Sequence, residues 1–306
     1  MLLRRASRMI LVPTLALALV GAAEPVVGTA AAETDPQQQL LYYNHSYGVF
    51  DRETADAIEH SEYLPEFANF SVRTSTGTGG VSWTGRYLMG RETYVELFGV
   101  GDLPDQDGTL GSTGLGLSTE RAGQLPTVAQ RMADEGGTPI GFIQMRDFGD
   151  GVPVPWFDAV LVAETYDSFS GWAMEYRPEY FADPRGNTEP ENYPGDVGRE
   201  RYLSDAYRDH LMRDVTGIRI AMTRRDLDAT VPLLRAGDFA VHTYPGGILA
   251  TRGGTTMRFD AVPRESAGMK RIEFSLNRPV LHRHVEQLGN STLVVGPGAR
   301  AVWTFR

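Results

Sequence analysis

The stretch that decides the fold is LYYNHSYGVFD (residues 41–51), followed directly by RETADAIEHSEYLPEF (52–67). The first segment alternates apolar and polar positions and is rich in aromatic residues, which predicts a β-strand. The second opens with acidic residues and spaces its apolar positions helically, which predicts an α-helix. Three further strands are predicted in FSVRTST (70–76), VSWTGRYLMG (81–90) and TYVELFGV (93–100). The order is strand, helix, strand, strand, strand, a βαβββ unit.

The same order recurs along the chain, which predicts an internal repeat. A second copy is expected over 114–182 and a third from VTGIRIAMT (215–223), whose helix RRDLDATVPLLRAG begins after Thr223 and stops at Gly237. A shortened fourth copy is expected over 268–306. We therefore predict an α/β (α+β) fold of repeated βαβββ units that form paired, curled, mixed sheets.

The predicted domain boundaries follow from composition. One paired-unit domain is expected over 33–182 and a second, more degenerate one over 214–306. The intervening 183–213 should be a linker or long surface loop, because DPRGNTEPENYPGDVGRE (183–200) is rich in Pro, Gly and charged residues.

Residues 1–32 have the pattern of a secretory signal peptide of bacterial type. Three arginines (Arg4, Arg5 and Arg8) precede an apolar run from Met9 to Val20, and Ala30-Ala31-Ala32 provides an A-x-A cleavage site. The run is too short to span a bilayer of about 30 Å as a helix. We expect export, removal of residues 1–32 and a secreted protein without membrane attachment. The pair Arg4-Arg5 leaves open whether export follows the general secretory or the twin-arginine route.

Composition excludes several classes of function. The chain contains no cysteine, so disulfides, thiolate nucleophiles and Cys-ligated metal sites are excluded. Its formal net charge of −10 argues against binding of nucleic acid through a general phosphate-binding surface. No G-x-S-x-G, H-E-x-x-H or Gly-rich phosphate loop occurs. The expected partner is a small molecule, and the oligomeric state stays open.

Three short motifs resemble the vicinal oxygen chelate superfamily, which contains the glyoxalase and bleomycin-resistance proteins. They are Asn44-His45 on the first strand, TYVELFG on the last strand of the first unit, and RIEFSLNRPV with AVWTF near the end. The chain is similar to an exported subgroup of glyoxalase-like proteins. This resemblance implies curled sheets, each made from two paired units and enclosing a cavity.

The resemblance also implies a metal site, with a His on a first strand and a Glu on a last strand. Carried over by residue, the ligands are His45, Glu96 and Glu175, and the second first-strand position falls near Leu115, which supplies no ligand. One imidazole and two carboxylates suit Zn²⁺, Mn²⁺ or Fe²⁺. Glu175 or the neighbouring Tyr176 would then be the catalytic base.

Other interpretations stand beside this one. His45 is alternatively a hydrogen-bonding residue of a polar cleft, with Glu96 paired to Arg86 or Arg91. The loop GDLPDQDGTLG (101–111) places three aspartates close together, but it lacks the later Glu of a calcium loop and is expected to be a solvated turn.

Three hypotheses of function follow. The first is a divalent-metal-dependent enzyme, of lyase, isomerase or oxygenase type, that acts on an oxygen-rich small molecule. The second is a metal-free protein that binds or sequesters an apolar or aromatic small molecule in the same cavity. The third is a surface interaction module whose repeats supply only a rigid scaffold. The sequence does not identify the substrate.

Overall fold

The computed structural model describes residues 39–306, which contain two eight-stranded sheets. The predicted signal peptide lies outside the described residues. The first sheet consists of β1 (Tyr42–Phe50), β2 (Asn69–Thr76), β3 (Ser82–Met89), β4 (Tyr94–Gly99), β5 (Thr113–Ser118), β6 (Ile140–Arg146), β7 (Val154–Leu161) and β8 (Phe169–Tyr176). The second consists of β9 (Met212–Met222), β10 (Ala240–Tyr244), β11 (Gly247–Thr251), β12 (Thr256–Ala261), β13 (Gly268–Val280), β14 (His284–Leu288), β15 (Ser291–Val295) and β16 (Gly298–Phe305).

The order of strands shows how each sheet is assembled from two units. The first sheet has the order β2-β3-β4-β1-β5-β8-β7-β6, and the second β10-β11-β12-β9-β13-β16-β15-β14. In three of the four units the first strand runs parallel to the last, as β1 does to β4, β5 to β8 and β9 to β12. In the fourth unit β13 and β16 pair antiparallel. The two units of the first sheet join through an antiparallel pair of their first strands, β1 and β5. The predicted fold of paired, curled, glyoxalase-like sheets is therefore confirmed.

Six α-helices lie between or after these strands: α1 (Arg52–Glu59), α2 (Leu64–Phe67), α3 (Leu125–Asp134), α4 (Pro178–Ala182), α5 (Arg199–Tyr202) and α6 (Arg224–Ala236). The crossover helices begin where the sequence places a capping residue. Asp51 accepts a hydrogen bond from the Thr54 backbone N–H at 2.8 Å, and Thr223 accepts one from the Asp226 backbone N–H at 3.2 Å. Helix α6 ends at Gly237, as predicted. None of the helices in residues 39–306 is long and apolar enough to cross a membrane.

One apolar core joins the two sheets. It contains Leu115 and Leu117 of the first sheet, Ile218 and Ile220 of the second, and Leu227 of α6, all buried. The Asp226 carboxylate adds a polar link, since it accepts hydrogen bonds from the backbone N–H groups of Asp167 (2.9 Å), Ser168 (2.7 Å) and Phe169 (3.0 Å). A side chain from the second half of the chain thus supplies the hydrogen-bond acceptor for backbone N–H groups at the start of β8.

The segment between the two sheets is folded and packs on the first sheet. It contains α4, α5 and two 3-10 helices, and the ring of Tyr202 stacks on that of Tyr176 at 4.4 Å. The Arg199 side chain is buried and donates to the Glu120 carboxylate (2.5 Å) and to the Tyr43 carbonyl (2.7 Å). The predicted linker therefore includes residues that pack on the first sheet.

The first sheet curls until its two edge strands meet at one end. Thr76 at the end of β2 forms a bridge with Asp147, directly after β6, and the Asp147 N–H donates to the Thr76 carbonyl at 2.9 Å. The Met145 N–H donates to the Thr78 hydroxyl at 3.0 Å. We call this contact between the ends of β2 and β6 the edge clasp.

Candidate functional site

A cavity of about 380 Å³ lies on one face of the first sheet, which we call the inner face. Six strands contribute to its wall, and on β1, β4, β6 and β8 the lining residues alternate, as expected for one face of a curled sheet. Strand β7 contributes the adjacent Trp156 and Phe157, which lie at an irregularity in its pairing with β6. Most of the lining is aromatic or aliphatic, and the ionisable groups are few. The main lining residues are His45, Tyr47, Trp83, Tyr94, Glu96, Phe98, Asp107, Phe142, Gln144, Trp156, Phe157 and Trp172.

Two glycines of the motif GLGLS make room for the β1 side chains that line this cavity. Gly116 is paired with His45 across the central strands, and a Cβ atom on Gly116 would lie 2.7 Å from the His45 Cε1. Gly114 faces the ring of Tyr47 in the same way. The second unit thus supplies space at the position where the first unit supplies an imidazole.

His45 is held in one tautomer by Asn44. The Asn44 side-chain nitrogen donates to the Ser118 hydroxyl (3.0 Å) and the Tyr176 hydroxyl (3.2 Å), so its oxygen faces His45 Nδ1 at 2.8 Å. Nδ1 therefore carries the proton, and Nε2 keeps the lone pair. The imidazole stacks on the Tyr94 ring at 4.5 Å. Burial lowers the pKa of His45 to about 3, which makes the ring neutral at physiological pH.

Glu96 projects from the middle of β4, between Tyr47 on β1 and Tyr87 on β3. Burial raises the pKa of its carboxyl group to about 7, although the positive charges of Arg73 and Arg146 act in the opposite direction. Within residues 39–306, no ion pair involves this carboxylate. Glu96 is therefore a proton donor or acceptor with a pKa matched to neutral pH.

The alternative partners suggested for Glu96 are engaged elsewhere. Arg86 forms ion pairs with Glu59 and Asp102, and Arg91 pairs with Glu200 at 2.9 Å. Of the three aspartates in the loop 101–111, Asp102 belongs to this ion-pair cluster and Asp107 lines the cavity.

Glu175 does not reach the cavity, which corrects its expected position on the inner face. Ser170 and Trp172 of β8 line the cavity, and Glu175 lies on the opposite face because it is an odd number of residues away. Its carboxylate accepts hydrogen bonds from the backbone N–H groups of Gly123 (2.7 Å), Gln124 (2.9 Å) and Leu125 (2.9 Å). Glu175 thus provides the hydrogen-bond acceptor for backbone N–H groups at the N-terminus of α3.

Tyr176 lies on the inner face but beneath the cavity. Its ring is buried against Tyr202, and its hydroxyl is engaged with the Asn44 side chain. Burial holds the pKa of Tyr176 well above its ordinary value. A phenol in this state is a poor general base, and its position indicates packing and support of Asn44.

The donor atoms do not fit the predicted metal site. His45 and Glu96 come together, but Glu175 is on the other face, and Gly116 offers no side chain. In the described part of the chain, no group of three or more His, Asp or Glu residues is placed to hold a metal ion. Zinc sites in proteins take three or four such ligands, so the residues present do not match a Zn²⁺, Mn²⁺ or Fe²⁺ centre.

The aromatic residues of the cavity were foreseeable, but its unpaired N–H groups were not. Trp83, Trp156 and Trp172 stand in predicted strands of the first two units. The indole N–H groups of Trp156 and Trp172 are buried and have no hydrogen-bond partner among the described residues. The sequence analysis also missed Arg73 and Arg146. Both could have been identified as arginines at positions of half-buried strands whose side chains point to the inner face.

Solved structures that are similar to this chain have low sequence identity to it. No curated protein matches the sequence. A hypothetical protein from Staphylococcus aureus aligns over 84% of this chain and 100% of its own (8% identity, TM-score 0.49). The 2,3-dioxygenase LapB from Pseudomonas sp. KL28 aligns over 86% and 91% (11% identity, TM-score 0.46). A xylose isomerase-like TIM barrel/4-hydroxyphenylpyruvate dioxygenase fusion protein aligns over 78% of this chain but 37% of its own (14% identity, TM-score 0.42).

At the level of sequence, one family profile matches residues 43–305, which is nearly the whole described chain. Its description is "Family of unknown function (DUF5829)". The match includes all but the first residue of β1 and ends at the last residue of β16. The chain therefore belongs to the DUF5829 family.

Proposed function

We propose that this protein binds a small, mainly apolar molecule with a planar part in the cavity of the first sheet. The observation that carries the proposal is the lining: an aromatic cavity of about 380 Å³ with His45 and Glu96 in its wall. Such a pocket, mostly apolar with a few convergent polar groups, is typical of small-molecule sites.

The aromatic groups favour a flat ligand. Trp83 and Trp172 lie in the wall together with Tyr47 and Phe98. Their rings offer large apolar surfaces, and stacked or edge-to-face contacts with an aromatic ligand contribute roughly 0.5–1.5 kcal/mol each beyond burial. The buried indole N–H groups would donate to a ligand oxygen.

Catalysis in the same cavity is the second candidate, and the Glu96 carboxyl favours it. A carboxyl group with a pKa of about 7 beside a neutral imidazole can take a proton from a bound molecule and return it. The reaction would be a proton transfer of lyase or isomerase type in which Glu96 is the base. The predicted metal ligands His45, Glu96 and Glu175 do not assemble a metal centre, so the proposed reaction contains no metal-dependent step.

Intrinsic fluorescence tests the binding proposal directly, because three of the four tryptophans line the cavity. Titration with 2-naphthol should quench or shift this emission in a saturable way. Trp172→Phe should reduce the amplitude, whereas Trp303→Phe should not, since Trp303 is buried in the shared core. Absence of saturable change with 2-naphthol and with the naphthyl compounds used below would contradict the proposal.

We further propose that the chain belongs to the vicinal oxygen chelate superfamily and acts outside the cytoplasm after removal of residues 1–32. The basic and apolar leader that ends in Ala30-Ala31-Ala32 supports export. Sequencing of the N-terminus of secreted protein should give Glu33 first. Secreted protein that begins at Met1 would contradict the cleavage.

A further inference from the structure

Two arginines flank Glu96 on the inner face of the first sheet. Arg73 lies on β2 and Arg146 on β6, the two edge strands that meet at the edge clasp. Both positive charges lower the pKa of the Glu96 carboxyl, which places them in its electrostatic neighbourhood. Both also act on Tyr202, so the two guanidinium groups share one region of the inner face.

Neither arginine has an acidic partner. Across residues 39–306, no carboxylate lies within ion-pair distance of Arg73 or Arg146, and the Nε–H of each is buried without a hydrogen-bond partner. This is unusual here, because most arginines in the described chain form ion pairs, Arg86 and Arg199 among them. Both side chains are half-buried, and charged groups withdrawn from water are normally paired, so two unpaired cations with buried Nε–H groups indicate a missing anion.

Aromatic rings hold both guanidinium groups in place. Arg73 lies over the Tyr87 ring at 4.2 Å, and Arg146 lies over the Trp156 ring at 4.9 Å and the Phe148 ring at 5.5 Å. Stacking restricts the planar group but leaves its N–H groups free to donate. The arginines are therefore preorganised to bind an oxyanion with both N–H groups of the fork.

The unpaired polar atoms of this face are all donors. Five buried side-chain N or O atoms in the described residues have no partner, and every one is an N–H nitrogen. Four of the five belong to the inner face: Arg73 Nε, Arg146 Nε, Trp156 Nε1 and Trp172 Nε1. Trp156 is 6% exposed and also lines the cavity. A ligand that satisfies these groups must bring acceptor oxygens.

Neither arginine lines the cavity itself, but Arg146 stacks on Trp156, which does. We infer that this region takes a small organic oxyanion, with its apolar body among the aromatic rings of the cavity and its carboxylate or phosphate held beside the cavity by Arg73, Arg146 and the Trp156 indole N–H. This inference rests on the proposed function and adds the charge of the ligand. Two arginines stand beside two carboxyl groups of this region, Glu96 and Asp107, and burial raises the pKa of both carboxyls. Protonation of either carboxyl leaves a positive local charge in a chain whose net charge is −10. The surrounding acidic protein would therefore repel the ligand, and this site would attract it.

Three matched probes test the inference with the full mature chain: 2-naphthoate, 2-naphthyl phosphate and the neutral 2-naphthamide. We expect at least one anion to bind at least tenfold more tightly than the amide at pH 7, and the better one identifies the oxyanion. The double variant Arg73→Gln/Arg146→Gln should lose this preference while its affinity for the amide changes less than threefold. Arg73→Lys/Arg146→Lys should retain part of the preference.

Arg283→Gln/Arg300→Gln is the matched control, because it removes two positive charges at exposed positions in the second half of the chain. It should keep the preference for the anion. If the double variant does not fold, the comparison of anion with amide on the unaltered chain decides, together with loss of the preference at high salt. Equal binding of all three probes would overturn the inference and leave the proposed function standing. Failure of all three to bind would overturn the inference, and failure of 2-naphthol as well would overturn the proposed function.

Discussion

His45 and Glu96 line the same cavity from the neighbouring strands β1 and β4, two register positions apart. Burial moves their two pKa values in opposite directions. Removal from water disfavours the charged form of each group, so the pKa of the base falls to about 3 and that of the acid rises to about 7. At neutral pH the imidazole is uncharged and the carboxyl group is close to half protonated. The pair can therefore accept a ligand without bringing a fixed negative charge to the cavity.

The first prediction concerns Glu96 and stability. The folded state binds a proton on Glu96 more tightly than the unfolded state does, so this residue lowers the free energy of unfolding as pH rises from about 4.5 to about 7. Glu96→Gln should remove this pH-dependent decrease in the free energy of unfolding. Urea unfolding of both proteins at pH 5 and pH 8 should show the variant gaining about 2–3 kcal/mol relative to the unaltered chain at the higher pH.

The comparison isolates Glu96 because His45, Arg73 and Arg146 are present in both proteins. The pKa of the neighbouring Tyr94 lies well above this pH range. A stability difference between the two proteins that is the same at pH 5 and pH 8 would contradict the raised pKa.

The second prediction belongs to Glu175. Glu175→Ala should lower the free energy of unfolding by about 1–2 kcal/mol, because three N–H groups at the start of α3 lose their acceptor. Affinity for 2-naphthol should change less than twofold, since the side chain lies outside the cavity. A tenfold loss of affinity in a folded variant would show that Glu175 contributes to ligand binding, contrary to its position outside the cavity.

At the scale of the element, the βαβββ order was predictable. Which β8 side chains point to the inner face of the sheet was not. Strand β1 and helix α1 have distinct periods of polarity, and Asp51 and Thr223 mark helix starts by their chemistry. In β8 both faces are apolar: Trp172 and Met174 lie on the inner face, Phe169 and Ala173 on the other. Alternation cannot reveal the orientation of such a strand, so WAMEY was assigned to the wrong face.

The unpaired donors of the cavity could not be predicted for a related reason. Whether Arg73 finds a carboxylate depends on which side chains lie across the curled sheet, and that follows from register and curl. The same holds for Trp156, which follows an irregularity in the pairing of β6 with β7. Sequence patterns identify the aromatic strands but do not show which of their N–H groups lack an acceptor.

At the scale of the molecule, the third prediction concerns cooperativity. The two sheets share one core, and Asp226 of α6 accepts three backbone N–H groups at the start of β8. Asp226→Ala should lower the free energy of unfolding by about 3 kcal/mol, because buried N–H groups lose their acceptor. Calorimetry should show a single transition for the unaltered chain and a lower melting temperature for the variant.

Asp228→Ala is the matched control on the same helix. The side chain of Asp228 is exposed and lies 3.8 Å from Arg224, an ion pair that contributes little to stability. Its melting temperature should change by less than about 2 °C. Two separate transitions in the unaltered chain would show that the sheets unfold independently, contrary to the shared core.

The edge clasp also has a consequence for self-association. An open edge strand presents unpaired N–H and C=O groups that can recruit another chain, and proteins commonly cover such edges. In the first sheet, the bridge between Thr76 and Asp147 closes the two edges on each other at one end. No bridge among the described residues joins β10 to β14, the edges of the second sheet. Aggregation by strand addition is therefore expected to begin at β10 or β14, and a proline introduced there would suppress it.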